Sequence, residues 1–451
     1  MMTDLTSGKP ARQIIAYALP MLLSVLFQQL YNMADSAIAG LFSGKNALAA
    51  VGASAPVTMI FIAVAVGMNM GCMVVISRLF GGRELAKMKT AIYTAMFASI
   101  GAALLLTGIG QFACAPILRL LQTDADIFAD AKLYLYIYIY GLVFLFLYNI
   151  CTGIFAALGD SKTPLYFLIA SSLSNILLDF VFVYFFGWGV AGVAWATFIC
   201  QGICSVLSVL CLLRRLNRVP VQEPYPRFSW EMLMHIMRYS VPSILQQSFV
   251  SVGNLFVQGL VNGFGVDAIA AFSAAAKLNA VVVTLFNSMG NSISGFTAQN
   301  LGANKPERVR LGHRAGIGMM TLLTLPVAAL FFVWGPSCIG MFMNAADANN
   351  AQAIALGARF LRVVAPFYPI ISIKIISDGV LRGGGVMHGF MISTFVDLLL
   401  RVVLSFLLAA ALWFDALAVS WVIGWLSATI YSYMAYRHMW KAQRPLPDGA
   451  V

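Results

Sequence analysis

Twelve apolar stretches run through this chain of 451 residues. They lie near 14–40, 52–77, 90–115, 133–157, 164–186, 189–213, 239–262, 267–297, 312–334, 355–381, 387–411 and 416–437. About 20 apolar residues in a helix cross roughly 30 Å of hydrocarbon, so each stretch reads as a spanning helix. The expected fold is therefore an all-α integral membrane protein. At 61% hydrophobic and 10% charged residues, one soluble core does not account for the chain. The first run is expected to be a spanning helix rather than a cleaved signal peptide.

The chain also repeats itself. Tyr17-Ala18-Leu19-Pro20 followed by Asn32 returns as Tyr239-Ser240-Val241-Pro242 followed by Asn254. Ala47-Leu48-Ala49-Ala50-Val51 returns as Ala268-Ile269-Ala270-Ala271-Phe272, and Gly81 as Gly302. Gly192-Val193-Ala194-Trp195 is echoed weakly by Ala418-Val419-Ser420-Trp421. The one long polar stretch between runs, Arg214 to Trp230, carries Pro220, Pro224 and Pro226 and reads as a linker. We expect a first lobe of six spans over 1–213, a linker over 214–235 and a second lobe of six spans over 236–451. Six is even, so both lobes enter the membrane from one side. Two such pseudo-symmetric bundles form a parallel repeat, which suits a carrier that rocks about a site between them. Gly81-Gly82 and Gly302-Ala303 read as stops of the second and eighth spans.

The net charge of +11 needs an explanation. With the N-terminus inside, twenty of the 28 Lys and Arg residues fall in inside loops and ends, five fall outside, and Lys277, Lys374 and Arg401 fall within spans. That asymmetry is an orientation signal rather than a nucleic-acid footprint, and it predicts both termini in the cytoplasm. His235, His313, His388 and His438 all fall in loops or ends. The cysteines lack a metal-ligand spacing, so Cys200 and Cys204 read as small core residues. No Walker A, His-Glu-x-x-His or nucleophile-elbow pattern occurs, and neither an enzyme nor a bound cofactor is expected.

Four aspartates lie within spans, where an ionised carboxylate costs about 2.5–3.5 kcal/mol at the bilayer centre. Lys374 and Asp378 are four residues apart, as are Asp397 and Arg401, so each couple can pair on its own helix. They read as compensated structural pairs or, together with Lys277, as a candidate polar network that touches substrate. Asp35 and Asp179 have no basic neighbour on their own helices. At about 1.5 Å of rise per residue, Asp35 lies about 8 Å from the outer end of its span and Asp179 about 10 Å from the end of its own. Thr197 lies at about 12 Å by the same reckoning, and Asn175 shares the Asp179 helix face. Two carboxylates in a low-dielectric pocket resist being ionised together, which makes a proton site, or a Na+ site if both are charged. At offset 222 the repeat places Asp397 and Arg401 where the first lobe has Asn175 and Asp179, and Val257 where it has Asp35. A permanent guanidinium disfavours a small cation, so the ion site is expected in the first lobe alone. Pro20 cannot complete the helical ladder and allows a bend, either static or linked to protonation of Asp35. Tyr134, Tyr136, Tyr138 and Tyr140 read as an interfacial aromatic belt or as a cation–π surface.

Asn32-Met33-Ala34-Asp35, Leu158-Gly159-Asp160-Ser161-Lys162-Thr163-Pro164 and Asn175-Ile176-Leu177-Leu178-Asp179, with Pro20, resemble the multidrug and toxic compound extrusion (MATE) family over nearly the whole chain. Its DinF-like branch is similar in using an Asp on helix 1, an Asn on helix 4, an Asn and an Asp on helix 5 and a Thr on helix 6. The resemblance implies that Asp35, Asn149, Asn175, Asp179 and Thr197 couple to the ion, with Pro20 as the helix 1 bend. The NorM-like branch uses acids of the second lobe, including one on helix 7, where this chain has Gln246 and Gln247. The resemblance also implies a V-shaped antiporter in the cell (inner) membrane, acting as a monomer. It would export amphipathic, often cationic compounds in exchange for H+ or Na+. Expelling one positive charge from a cell negative inside costs about 2.3 kcal/mol per 100 mV, and one incoming proton cancels that term. A lipid-linked oligosaccharide flippase of the same superfamily is the alternative, but its pyrophosphate would need several uncompensated cations.

Overall fold

The computed structural model describes residues 3–42, 44–221, 223–343 and 350–442, with side chains from 32 to 48 and at 442 left aside. No strand occurs among the described residues. Fourteen α-helices follow one another among the described residues: α1 Pro10–Phe42, α2 Gly44–Gly81, α3 Leu85–Leu120, α4 Ala125–Tyr140, α5 Leu142–Ala157, α6 Lys162–Phe180 and α7 Gly189–Asn217. Then come α8 Trp230–Asn262, α9 Val266–Gly302, α10 Pro306–Gly340, α11 Ala351–Val364, α12 Tyr368–Gly383, α13 Met387–Leu412 and α14 Asp415–Ala442. Eleven of these segments are long and apolar enough to cross a membrane, α11 and α12 counting as one through the short 3₁₀ turn Ala365–Phe367. The α4–α5 pair makes twelve, although it is bent by 50°. The break falls at Gly141, where helical hydrogen bonding shifts and its N–H meets both Ile137 O and Tyr138 O.

Two compact units divide the chain. The first comprises Met1–Leu5, Leu19–Gln247 and Gly302–Asn304; the second comprises Thr6–Ala18, Ser248–Leu301 and Lys305–Val451. The division falls inside α1 just before Pro20 and inside α8 five residues after Pro242. Each half of the repeat is thus divided within its first helix and close to its proline. In the first unit α2 and α8 approach closely through Gly67 and Gly71. A Cβ at Gly71 would lie 2.2 Å from Ser240 Oγ, so no larger residue fits without moving α8. Such small-residue contacts let helix backbones approach where lipid supplies no hydrophobic drive.

The spans end where the sequence indicates. α2 stops at Gly81 and α9 at Gly302, and in both cases the left-handed residue is the second one beyond: Arg83 with φ 60° and Asn304 with φ 55°. α10 loses helical geometry at Trp334, two residues before Pro336, whose ring cannot follow a regular turn.

Some expectations need correction. All four histidines lie within helices, His235 in α8, His388 in α13 and His438 in α14. His313 lies within α10, only 3% exposed, with Nε2 at 3.0 Å from Ser377 Oγ and its ring stacked 3.8 Å from that of Tyr436. The four tyrosines of α4 do not all face the interface either. Tyr134 is buried and stacks on Tyr138, whereas Tyr140 is exposed. Helical spacing puts residues four apart on one face, and the alternation by two hides that.

Candidate ion-coupling site and buried charge pairs

In the first unit, α6 carries Asn175 and Asp179 one turn apart, 2% and 0% exposed. Asn175 is satisfied in one amide orientation, in which its Nδ2 donates to Asp179 Oδ2 at 2.8 Å and lies 3.2 Å from Tyr31 Oη. Its Oδ1 then accepts from the Thr197 backbone N–H at 3.1 Å. Such amide orientations are assigned from the hydrogen-bond network. The Thr197 hydroxyl is 3.5 Å from that same end of the amide. Three of the five residues named from sequence therefore meet, and Tyr31 of α1 joins them. Sequence alone gave no reason to select Tyr31. Asn149 donates to Leu145 O of its own helix at 2.9 Å. The side chain of Asp35 lies outside the described residues.

Helix geometry changes just beyond Asp179. The chain from Val181 to Phe185 is a π-helical turn, with Phe186 N–H bonded to Val181 O at 3.2 Å. Single π turns are frequent at functional sites because they re-aim the side chains beside them. Stacked rings of Phe180 and Tyr184 cover this turn. Thr197 also lines a cavity of about 10 Å³, together with Tyr134, Tyr138, Gly141 and Gln201 among others. That is the lower limit for a single water. The inward tyrosines and the α4–α5 break thus open onto the same threonine.

The signature loop after α5 has a structural task. Asp160 Oδ1 accepts from the N–H groups of Lys162 and Thr163, both at 3.1 Å, and so caps α6. Its Oδ2 accepts from Thr163 Oγ1 at 2.7 Å and pairs with Arg215 of α7. Burial alone would raise this carboxyl, but the Arg215 and Thr163 bonds outweigh it and hold the pKa below its ordinary value. Gly159 has φ +75°, and a Cβ there would meet Thr3 O at 2.1 Å. Glycine is therefore required by both the turn and the close approach of Thr3.

In the second unit the buried acids have cations. Lys374 Nζ donates to Asp378 Oδ2 at 2.9 Å. Ser393 and Ser432 donate to the same carboxylate at 3.3 and 2.6 Å. Arg401 Nη2 donates to Asp397 Oδ2 at 2.9 Å, and its guanidinium lies 4.9 Å from the Trp421 ring. Lys277 joins neither pair; it is exposed, with Nζ 5.6 Å from the Phe342 ring. Arg382, counted with the loops from sequence, is buried and donates to Asn291 Oδ1 at 2.8 Å and Ser294 Oγ at 3.2 Å.

This is a polytopic helical membrane protein whose long helices bury polar clusters, the construction expected of a membrane transporter. The chain belongs to the MatE family, whose profile matches residues 20–181 and 242–407. It is 26% identical over 444 residues to a probable multidrug resistance protein, YpnP, of Bacillus subtilis, covering 98% of each chain. It is 26% identical over 340 residues to an FAD transporter of Shewanella oneidensis, covering 72% of this chain and 73% of the relative. A solved MOP superfamily transporter from Pyrococcus furiosus superposes with a TM-score of 0.90 at 22% identity over 98% of each chain. At that identity the likeness speaks for the fold. Membership places the chain among transporters and not among enzymes.

Proposed function

We propose that the protein is a secondary active antiporter of the cell membrane, with both termini cytoplasmic, which exports amphipathic, often cationic compounds in exchange for H+ or Na+. The relatives named as multidrug resistance proteins support this reading. The observation that carries it is the Asp179 cluster. A wholly buried carboxylate has an amide as its described partner, with a phenol and a hydroxyl beside that amide. Carboxylate, amide and hydroxyl oxygens can bind a proton or a small cation, and loading the site changes the charge that α6 holds inside the membrane. Asp378 and Asp397 of the other unit already have an ammonium and a guanidinium as partners. Asp35 and Asn149 complete the site in this reading, and Pro20 gives α1 a place to bend. Lys374 and Arg401 are engaged by their own carboxylates, which weighs against a pyrophosphate-binding flippase.

The test is efflux from proteoliposomes with Na+ and pH gradients imposed separately. Wild type should export a cationic amphiphile under one gradient, and Asp179→Asn should lose that dependence while still binding the compound. Gradient-driven efflux that survives Asp179→Asn unchanged would remove the mechanism.

A further inference from the structure

A groove of about 370 Å³ opens between α6 and α7 on the first unit. Its floor is Phe167, Leu207, Leu210 and Cys211, and its rim is Arg214, Arg215 and Arg218. Leu207 and Leu210 are 48% and 46% exposed, so the floor is open apolar surface on a helix that is apolar enough to span. From Leu207 to Arg218 α7 rises about 16 Å, close to half of a hydrocarbon core of roughly 30 Å. The groove therefore matches the length of one leaflet, with its basic rim at the end of α7.

The three arginines are not equivalent. Arg215 is fixed: it pairs with Asp160, donates to Thr163 Oγ1 at 2.7 Å and lies 5.2 Å from the Phe155 ring. Arg214 and Arg218 are exposed and make no ion pair among the described residues. They stand four residues apart on one helix face, where like charges repel. An anion between them would relieve that repulsion, and a guanidinium binds phosphate oxygens in bidentate fashion. A soluble anion gains nothing from the leucine and phenylalanine floor, whereas an acyl chain does.

We propose that this groove holds one anionic phospholipid, its headgroup phosphate between Arg214 and Arg218 and an acyl chain along Phe167, Leu207 and Leu210. The lipid would seat against the same arginine that ties α7 to the Asp160 turn, so its occupancy should stabilise the start of α6. This assignment does not depend on the transport reading.

The experiment uses the full-length protein in detergent. Native mass spectrometry and thermal unfolding are recorded with phosphatidylglycerol, phosphatidylcholine or inorganic phosphate added. Phosphatidylglycerol should remain bound with a stoichiometry of one above the non-specific background and raise the unfolding midpoint. Phosphatidylcholine and inorganic phosphate should do neither. Replacing Arg214→Gln and Arg218→Gln together should weaken retention roughly 25-fold, at about a factor of five per arginine near the headgroup. The paired Arg214→Lys and Arg218→Lys variant should retain the lipid, which separates loss of charge from loss of folding. Equal retention of the two lipids, an equal shift with inorganic phosphate, or undiminished retention by the glutamine variant would overturn the assignment.

Discussion

The two lobes place polar groups at matching positions and use them differently. On α6 the pair is Asn175 and Asp179, an amide donating to a buried carboxylate. On α13, 222 residues later, it is Asp397 and Arg401, an ion pair closed on itself at 2.9 Å. The amide beside the Asp179 carboxylate is neutral, so in the proposed reading a proton or Na+ can add to the carboxylate without leaving a charge behind on that amide. A carboxylate held by guanidinium has its charge already matched, and adding a proton or Na+ would leave the arginine uncompensated in a low-dielectric core. In the proposed reading the first lobe changes charge and the second keeps it. The turn that precedes each helix differs as well. Asp160 caps α6 and pairs with Arg215, whereas the turn before α13 carries Gly383-Gly384-Gly385 and no acid.

The largest expected effect tests the compensated lobe. Asp378→Ala leaves the Lys374 ammonium buried without its partner and should destabilise the protein by about 3–5 kcal/mol. Replacing both residues, Lys374→Met with Asp378→Leu, should recover much of that loss. Thermal unfolding in detergent reads both, and equal losses for the single and double variants would break the claim that the pair is structural. Next comes Asp179→Asn, which should leave stability nearly unchanged yet reduce counter-ion-dependent efflux by on the order of tenfold or more. A variant as unstable as Asp378→Ala would instead make Asp179 a structural acid like its counterparts.

Thr197→Val and Tyr31→Phe remove neighbours of the Asn175 amide and keep the carboxylate. Each should shift the apparent affinity for the coupling ion by about 0.5–1.5 kcal/mol, the net worth of a hydrogen bond, and leave maximal efflux intact. Ion titration of transport under a fixed gradient distinguishes this from a loss of fold. The smallest effect concerns the turns. Because the folded Asp160 pKa is depressed, its stabilisation is present above the ordinary value of 3.8 and is lost as pH falls through the lower folded value. Acid sensitivity below about pH 4 should therefore diminish in Asp160→Asn, read by unfolding midpoints from pH 5 down to pH 3. An unaltered acid profile would mean that the Arg215 contact contributes little at this turn.

Local relations were legible in the sequence. The Lys374–Asp378 and Asp397–Arg401 pairs follow from spacing on a single helix, and the stops at Gly81 and Gly302 follow from composition at a span end. Asn175 and Asp179 stand one turn apart for the same reason. Tyr31, His313 and Arg215 were not legible in their roles. Tyr31 meets a residue 144 positions away, His313 meets Ser377 across 64 positions, and Arg215 meets Asp160 across 55. The bend at Gly141 was hidden for another reason: the apolar run is continuous through it, and hydropathy does not register direction.

Sequence by itself determined that the chain crosses a membrane in long helices, that it is doubled, and which acids have a cation on their own helix. These are properties of composition and of separations of three or four residues, which a helix converts directly into neighbours. Only the tertiary structure decided which polar groups from different helices meet: Tyr31 with Asn175, Thr197 with a water-sized cavity, Arg215 with the signature turn. Such meetings depend on how helices pack side by side. In a membrane that packing is set by small residues and a few hydrogen bonds rather than by the apolar pattern, because lipid is as apolar as the helix faces themselves.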